Sequence, residues 1–303
     1  MSRRSAPVKL IAVMGLTGTG KTSFINTLTG ANLETSSGLR SCTKSIATAS
    51  LTLEGQKVIL IDSPGFDDTE LQDTDILKNI ANYLQQLNDK SLKLTGLLYF
   101  HNISHVRMGQ SAARNIRMFR ALVGDGNMHN VVLVSTRWDL VKDEKEATIK
   151  QRITELESDE GFWGAMMKAG ARHDILKDVD ADGMRIISRL MEKEPVEVKM
   201  QSELRDGVPL SDTKAGKTLH DDLKKMEGKY KKEMEDLKEQ LNQAIREKQD
   251  FDAAILKKEL EQARQDKEKY HQQVVALKDA EIDRLKGEVS RLNHPDPPPC
   301  IVL

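Results

Sequence analysis

The sequence predicts an α/β fold, a mostly parallel sheet with helices on both faces, followed by a long C-terminal coiled-coil helix. Over the N-terminal two thirds, short apolar runs alternate with helically spaced segments, the pattern of strands joined by crossover helices. Residues 214–293 hold no proline, 19 Lys/Arg and 18 Asp/Glu, with apolar residues at alternating steps of three and four. A composition of 38% apolar and 31% charged residues over 303 positions is lean for one compact core, so part of the chain is expected to be extended and solvated.

The elements follow in order. VKLIAVMG (8–15) is a buried parallel strand ending at glycine, and KTSFINTLTG (21–30) is a helix closed by Gly30. SIATASLTL (45–53) alternates with period two and suits an edge strand. KVILIDSPG (57–65) is again a buried strand. DILKNIANYLQQL (75–87) places Ile76, Ile80, Tyr83, Leu84 and Leu87 on one helical face. LTGLLYFH (94–101) and NVVLVST (130–136) are further strands, with SAARNIRMFRALVG (111–124) as the helix between them. The expected divisions are an N-terminal tail at 1–7, an α/β domain at 8–195, a linker at 196–213, the coiled coil at 214–293 and a proline-rich tail at 294–303. The coiled-coil seam runs through Leu219, Leu223, Met226, Tyr230, Met234, Leu237 and Leu241, and resumes from Leu256 to Leu292. Ala244, Lys248 and Lys267 weaken it, and a fold-back near 244–252 is the alternative to a continuous helix.

The composition excludes several classes. A net charge of -1 gives no bulk attraction to nucleic acid. The two cysteines, Cys42 and Cys300, form no CxxC or Cys/His cluster, so neither a disulfide framework nor a zinc site is expected and a reducing compartment fits. His101 and His105 lack partners at metal spacing. The N-terminus has no signal-peptide apolar run, and no stretch is long and apolar enough to span a bilayer.

GLTGTGKT (15–22) fits GxxxxGK[ST] directly after a predicted strand and before a predicted helix, the context this phosphate-binding loop requires. Gly15, Thr17, Gly18, Thr19 and Gly20 form the loop. Its backbone N–H groups, with Lys21, Thr22 and Ser23 at the positive helix end, bind phosphate oxygens. Lys21 is expected at the β/γ-phosphates and the Thr22 hydroxyl on Mg²⁺. Asp62, in IDSPG (61–65), ends the next buried strand and holds the metal through water, while the Gly65 N–H faces a γ-phosphate. STRWD (135–139) follows a buried strand. There the Asp139 carboxylate accepts from guanine N1–H and the 2-amino group together, a pairing adenine cannot supply. Thr136 and Arg137 stand where the usual motif has Asn and Lys. The hydroxyl still bonds, and the flat guanidinium still stacks on a base.

The order GLTGTGKT, DSPG, TRWD resembles a translation-factor-class GTPase of the P-loop fold. SCTKS (41–45), DSPGFDD (62–68) and HNISHVRMGQSAARNIRMF (101–119) resemble fungal G-domain proteins close to the immunity-associated and septin-like GTPases. The resemblance covers roughly residues 8–195. It implies GTP and Mg²⁺ as ligands and Thr43 as the switch threonine, a metal ligand that senses the γ-phosphate. GARHD (170–174) stands where a fifth motif would lie, with His173 as a candidate base contact.

Phe66 occupies the position where Ras-like enzymes carry the water-orienting glutamine, and a phenyl ring cannot do that work. Arg40, three residues before Thr43, is a candidate internal arginine for the γ-phosphate; Asp67 and Asp68 read as solvated neighbours. Hydrolysis is therefore expected to be slow or to depend on a GAP or another partner, and the resemblance implies self-association across the nucleotide face as one such route. Trp163, Met166 and Met167 read as packing residues.

The chain finishes HPDPPPCIVL. Cys300, two aliphatic residues and Leu303 match a prenylation box, with leucine favouring geranylgeranyl, on an extended proline-rich end. One lipid is a weak anchor; a parallel coiled-coil dimer would bring two together. The expected protein is a cytoplasmic GTP-binding switch or assembly factor, peripheral on a cytosolic membrane face and self-associating through its G domain, its coiled coil or both. The alternative is a coiled-coil scaffold whose G domain binds GTP structurally. An ATPase would require Asp139 to be irrelevant.

Overall fold

A computed structural model describes residues 8–34, 45–66, 72–105, 109–246 and 250–293. The chain divides into two compact units, Met1–Val208 with Thr213–Thr218, and Pro209–Asp212 with Leu219–Leu303. Among the described residues no helix is long and apolar enough to cross a membrane.

The first unit is built on strands β1 (Lys9–Gly15), β2 (Ala47–Leu53), β3 (Gln56–Asp62), β4 (Gly96–Asn102), β5 (Val131–Thr136) and β6 (Arg172–Ile175). They lie in one six-stranded sheet in the order β2-β3-β1-β4-β5-β6. β2 pairs antiparallel with β3; the other pairings are parallel. β4 and β5 are buried along their whole length, as parallel strands covered on both faces must be. The edge strand β2 alternates between half-buried and exposed positions, as its period-two sequence requires.

Helices α1 (Lys21–Thr29), α2 (Asp73–Asp89), α3 (Gln110–Val123), α4 (Glu146–Ser158), α5 (Gly164–Lys168), α6 (Val179–Met191) and α7 (Lys199–Arg205) complete the unit. On one face, Phe24, Ile25 and Leu28 of α1 and Ile186, Ile187 and Leu190 of α6 pack against Ile11, Val13, Leu60, Leu98 and Phe100. Phe24 meets Phe100 edge-on, ring centroids 5.0 Å apart; burying one such side chain contributes about 2–3 kcal/mol. On the opposite face, Tyr99 packs at a 45° tilt against Phe119 of α3 and donates to Asn115 Oδ1 at 2.6 Å. A buried ion pair, Arg114–Asp73 at 2.6 Å, fastens α3 to the start of α2.

The expected linker is corrected. Residues 196–205 belong to the fold: Leu94 and Val196 exchange backbone hydrogen bonds of 3.1 and 2.7 Å. In α7, Met200 and Leu204 are buried, and Gln201 Nε2 donates to Leu92 O at 2.8 Å. A proline beside a charged stretch made this segment look solvated, yet every third or fourth residue is apolar and covered.

The C-terminal helices are α8 (Lys214–Arg246) and α9 (Asp250–Asn293). In the second unit, Tyr230 stacks on Tyr270 with centroids 5.5 Å apart, and His271 Nδ1 lies 3.0 Å from Glu227 Oε1. Only 247–249 separate the two helices, so these contacts make an antiparallel hairpin. Ala263, Val274 and Leu277 on α9 and Leu219 and Leu223 on α8 are buried. Heptad spacing identified the apolar face but not its partner, which the chain itself supplies. A continuous helix in a parallel dimer, with two lipids at one end, is thereby corrected to the fold-back. In a Cys42→Ser, Cys300→Ser background, the pair Glu227→Cys and His271→Cys should be joined within one chain by a short bismaleimide, giving a monomer of altered gel mobility. Crosslinks found only between chains would contradict the hairpin.

Candidate nucleotide-binding site

The site is assembled where β1, β3 and β5 end. Gly15 closes β1 at φ +136°, and a Cβ there would stand 2.4 Å from the Phe100 carbonyl oxygen. Only glycine lets the chain leave β1 so close to β4. The loop then curls on itself: Thr19 Oγ1 donates to Leu16 O at 2.8 Å, and Lys21 Nζ donates to Gly15 O at 3.0 Å and Leu16 O at 2.8 Å. Lys21 is buried, so its charge is held over the loop by these carbonyls. No side chain caps α1, whose N-terminal N–H groups and positive dipole end face the loop. Ser23 is exposed on the first turn.

Thr22 and Asp62, forty residues apart, meet directly: Thr22 Oγ1 donates to Asp62 Oδ2 at 2.7 Å. Asp62 is fully buried, and its Oδ1 has no hydrogen-bond partner. Burial pushes this carboxyl above its usual range, against the opposing pull of the Thr22 hydrogen bond and the Lys21 charge. Thr17 Oγ1 is likewise buried without a partner. A hydroxyl beside a carboxylate with a spare oxygen is a hard-oxygen donor pair, which suits Mg²⁺ with its waters and phosphate oxygens. Thr22 and Asp62 fit that ion, which when bound supplies charge neutralisation to phosphates. Among the described residues no group of three or more His, Cys, Asp and Glu side chains forms a metal cluster, His101 and His105 included.

The DSPG turn lies against the loop. A Cβ on Gly65 would stand 2.4 Å from Thr17 Oγ1, so glycine alone permits this approach. Thr17 N donates to Phe66 O at 3.2 Å, while the Phe66 side chain is 2% exposed. Phe66 thus offers its carbonyl to the loop and turns its ring into the core. Arg40, Cys42, Thr43, Asp67, Asp68 and Cys300 lie outside the described residues.

On the base side, Thr136 is buried and its Oγ1 lies 2.9 Å from Thr19 O and 3.2 Å from His101 O, tying this loop to the phosphate loop. Arg137 takes a left-handed conformation at φ 60° and reaches back with Nε 3.4 Å from Gly18 O. Asp139 is exposed in the short turn Trp138–Val141. Its carboxylate follows by two residues Arg137, which reaches Gly18 O of the phosphate loop.

His173, the candidate packing contact for the base, is held through both ring nitrogens. Its Nε2 lies 2.9 Å from Ser135 Oγ, its Nδ1 2.7 Å from Glu157 Oε1, and its ring packs 5.1 Å from Trp163. Both nitrogens are occupied by the protein, so the imidazole has no polar atom left for a base. The segment just after β6 runs beside the base loop instead. Leu176 N donates to Ser135 O at 3.0 Å, and Lys177 Nζ sits 4.8 Å over the Trp138 ring. Trp138 and Lys177 were missed. The available signal was position, since Lys177 immediately precedes Asp178, which caps α6 by accepting from Ala181 N at 2.9 Å.

Residues 10–116 match the family model described as 50S ribosome-binding GTPase. Among solved structures, Toc33 from Arabidopsis thaliana with GDP and Mg²⁺ is 16% identical, covering 64% of this chain and 88% of that one, with a TM-score of 0.50. The fold is that of a P-loop GTPase. A structure of the chloroplast translocon components atToc33 and psToc159, reporting dimerization as important for their GTPase activity, is 15% identical, covers 67% of this chain and 83% of that one, and has a TM-score of 0.47. Era from Aquifex aeolicus bound to GDP·AlF4⁻ is also 15% identical, with coverage of 63% and 59% and a TM-score of 0.45. No curated protein matches the chain.

The buried Asp62 links binding to stability. Its raised pKa means that desolvation outweighs the Thr22 hydrogen bond and the Lys21 charge, so the ionised carboxylate costs stability above the usual carboxylate range, a cost that fades as pH falls through the folded pKa. Asp62→Asn should therefore leave the metal-free Tm at pH 7.5 equal to or above wild type. The same change should weaken Mg²⁺-dependent GTP binding about 10–100-fold, measured by titration with and without EDTA. A lower metal-free Tm with unchanged Mg²⁺ dependence would contradict this placement.

Proposed function

We propose that the chain is a membrane-tethered GTP-binding switch or assembly protein, close to the immunity-associated and septin-like GTPases, whose intrinsic hydrolysis is slow. The carrying observation is Phe66. Its ring is buried and its carbonyl is bound to Thr17 N, so the position that would orient an attacking water presents no side chain to it. Other described residues support the reading. Lys21 bonds to loop carbonyls, Thr22 donates to Asp62, and Asp139 is exposed.

A domain that binds well and lacks a water-orienting group acquires catalysis from elsewhere. Self-association across the nucleotide face, a GAP, or Arg40 and Thr43 of this chain would supply it. Attachment through a prenylated Cys300 belongs to the same proposal, and Cys300→Ser should then move the protein from membranes to the soluble fraction. The second reading, a scaffold that holds GTP for structure, is favoured by Phe66 together with the Tyr230–Tyr270 hairpin, which offers a long charged surface to partners.

Turnover of GTP and ATP by the full chain, measured across protein concentration with Mg²⁺, separates these readings. GTP-selective turnover whose rate per molecule rises with concentration is the expected result. Tight GTP binding with no turnover at any concentration would favour the scaffold, and a preference for ATP would overturn Asp139 as base reader.

A further inference from the structure

Glu157 of α4, His173 of β6 and Ser135 of β5 form a serine–histidine–carboxylate line, with 2.7 Å between Glu157 Oε1 and His173 Nδ1 and 2.9 Å between His173 Nε2 and Ser135 Oγ. An ionised carboxylate only accepts, so Nδ1 carries the proton. On the other side of the ring, Nε2 pairs with the Ser135 hydroxyl. The line resembles a hydrolase triad, but Ser135 is 0% exposed and no substrate carbonyl could reach it. Its purpose must lie in what Ser135 holds.

Ser135 sits at the junction of both base loops. Its carbonyl accepts from Leu176 N and from Trp138 Nε1, each at 3.0 Å. Its neighbour Thr136 reaches the phosphate loop at Thr19 O. Trp138 precedes Asp139, and Leu176 precedes the Lys177 that covers the Trp138 ring. The packing behind the line is aromatic: the Trp163 ring lies between His101 at 5.6 Å and His173 at 5.1 Å.

We propose that Glu157, His173 and Ser135 are positioning residues that fix the Asp139 carboxylate for guanine, so that base selectivity is set partly by groups that touch no nucleotide. This rests on Asp139 as the base reader. One carboxylate must meet two donors at once, so a small displacement of its loop costs selectivity more than it costs phosphate binding. Without the imidazole, the buried Ser135 hydroxyl keeps only a 3.4 Å contact with Asp174 O, and the β5 and β6 loop ends lose their brace.

The test is competitive binding of GTP and ITP to the full chain with Mg²⁺, since ITP lacks the 2-amino group and the GTP:ITP ratio reads the carboxylate contact itself. His173→Ala should lower that ratio about tenfold, and Glu157→Ala, at a half-exposed position that leaves folding intact, about threefold, within the loss a misplacement of about 1 Å produces. His173→Gln keeps an acceptor where Nε2 stood and should restore most of the ratio, which a merely space-filling role would not. Asp139→Asn, whose amide donates to the C2 carbonyl of xanthine, should shift preference to XTP. If that shift occurs but the ratio is unchanged within about twofold in His173→Ala and Glu157→Ala, or His173→Gln is as poor as His173→Ala, the positioning proposal is overturned and the base reader stands. If Asp139→Asn leaves the preference unmoved, the base reader fails and the positioning proposal fails with it.

Discussion

The 2.7 Å hydrogen bond between Thr22 and Asp62 is the contact on which the rest of the structure converges. It joins the first turn of α1 to the end of β3, and it exists only because β1 and β3 pair in parallel register, with Val13 opposite Asp62. Parallel pairing brings the C-terminal ends of neighbouring strands to the same edge, so the loops carrying the phosphate, metal and base residues meet there. The apolar faces of α1 and α6 hold that edge in place through Phe24, Ile25, Ile186 and Ile187.

Two polar atoms beside this contact, Asp62 Oδ1 and Thr17 Oγ1, are buried and have no protein partner, and an unsatisfied buried polar atom costs about 1–3 kcal/mol. Lys21 meets part of the deficit by bonding to loop carbonyls. Those bonds are substitutes, since phosphate oxygens are better acceptors for an ammonium than amide carbonyls are. Phosphate and metal would give these atoms the partners the protein does not, and Ser135, whose polar atoms are engaged by β6 and Trp138, ties the base loops together.

Much of this was legible in the sequence because it depends on local rules. The buried strands announce themselves as apolar runs, the edge strand β2 by its alternation, and the phosphate loop by glycines at fixed offsets before Lys21. What was not legible is tertiary. β6 has four residues, none of them fully buried, too short and too mixed for a periodicity signal. Residues 196–205 read as a linker because their apolar face is only two residues wide. The helical seam was visible while its partner was not, since a heptad pattern specifies a face and says nothing about which helix covers it. His173 sat in the right stretch for a base contact, yet its ring turns toward Glu157 and Ser135, which are distant in sequence. The missing glutamine at Phe66 was readable; that its carbonyl braces Thr17 N was not.

The most direct test of a nucleotide site completed by ligand is a crystal structure of the full chain with Mg²⁺ and a non-hydrolysable GTP analogue. The expected result is Lys21 Nζ transferred from the Gly15 and Leu16 carbonyls to phosphate oxygens, Thr22 Oγ1 on the metal, Asp62 in reach of a metal-bound water and Asp139 paired to the guanine edge. Bound nucleotide with Lys21 still on its carbonyls, the Thr22–Asp62 bond intact and no metal between them would contradict it.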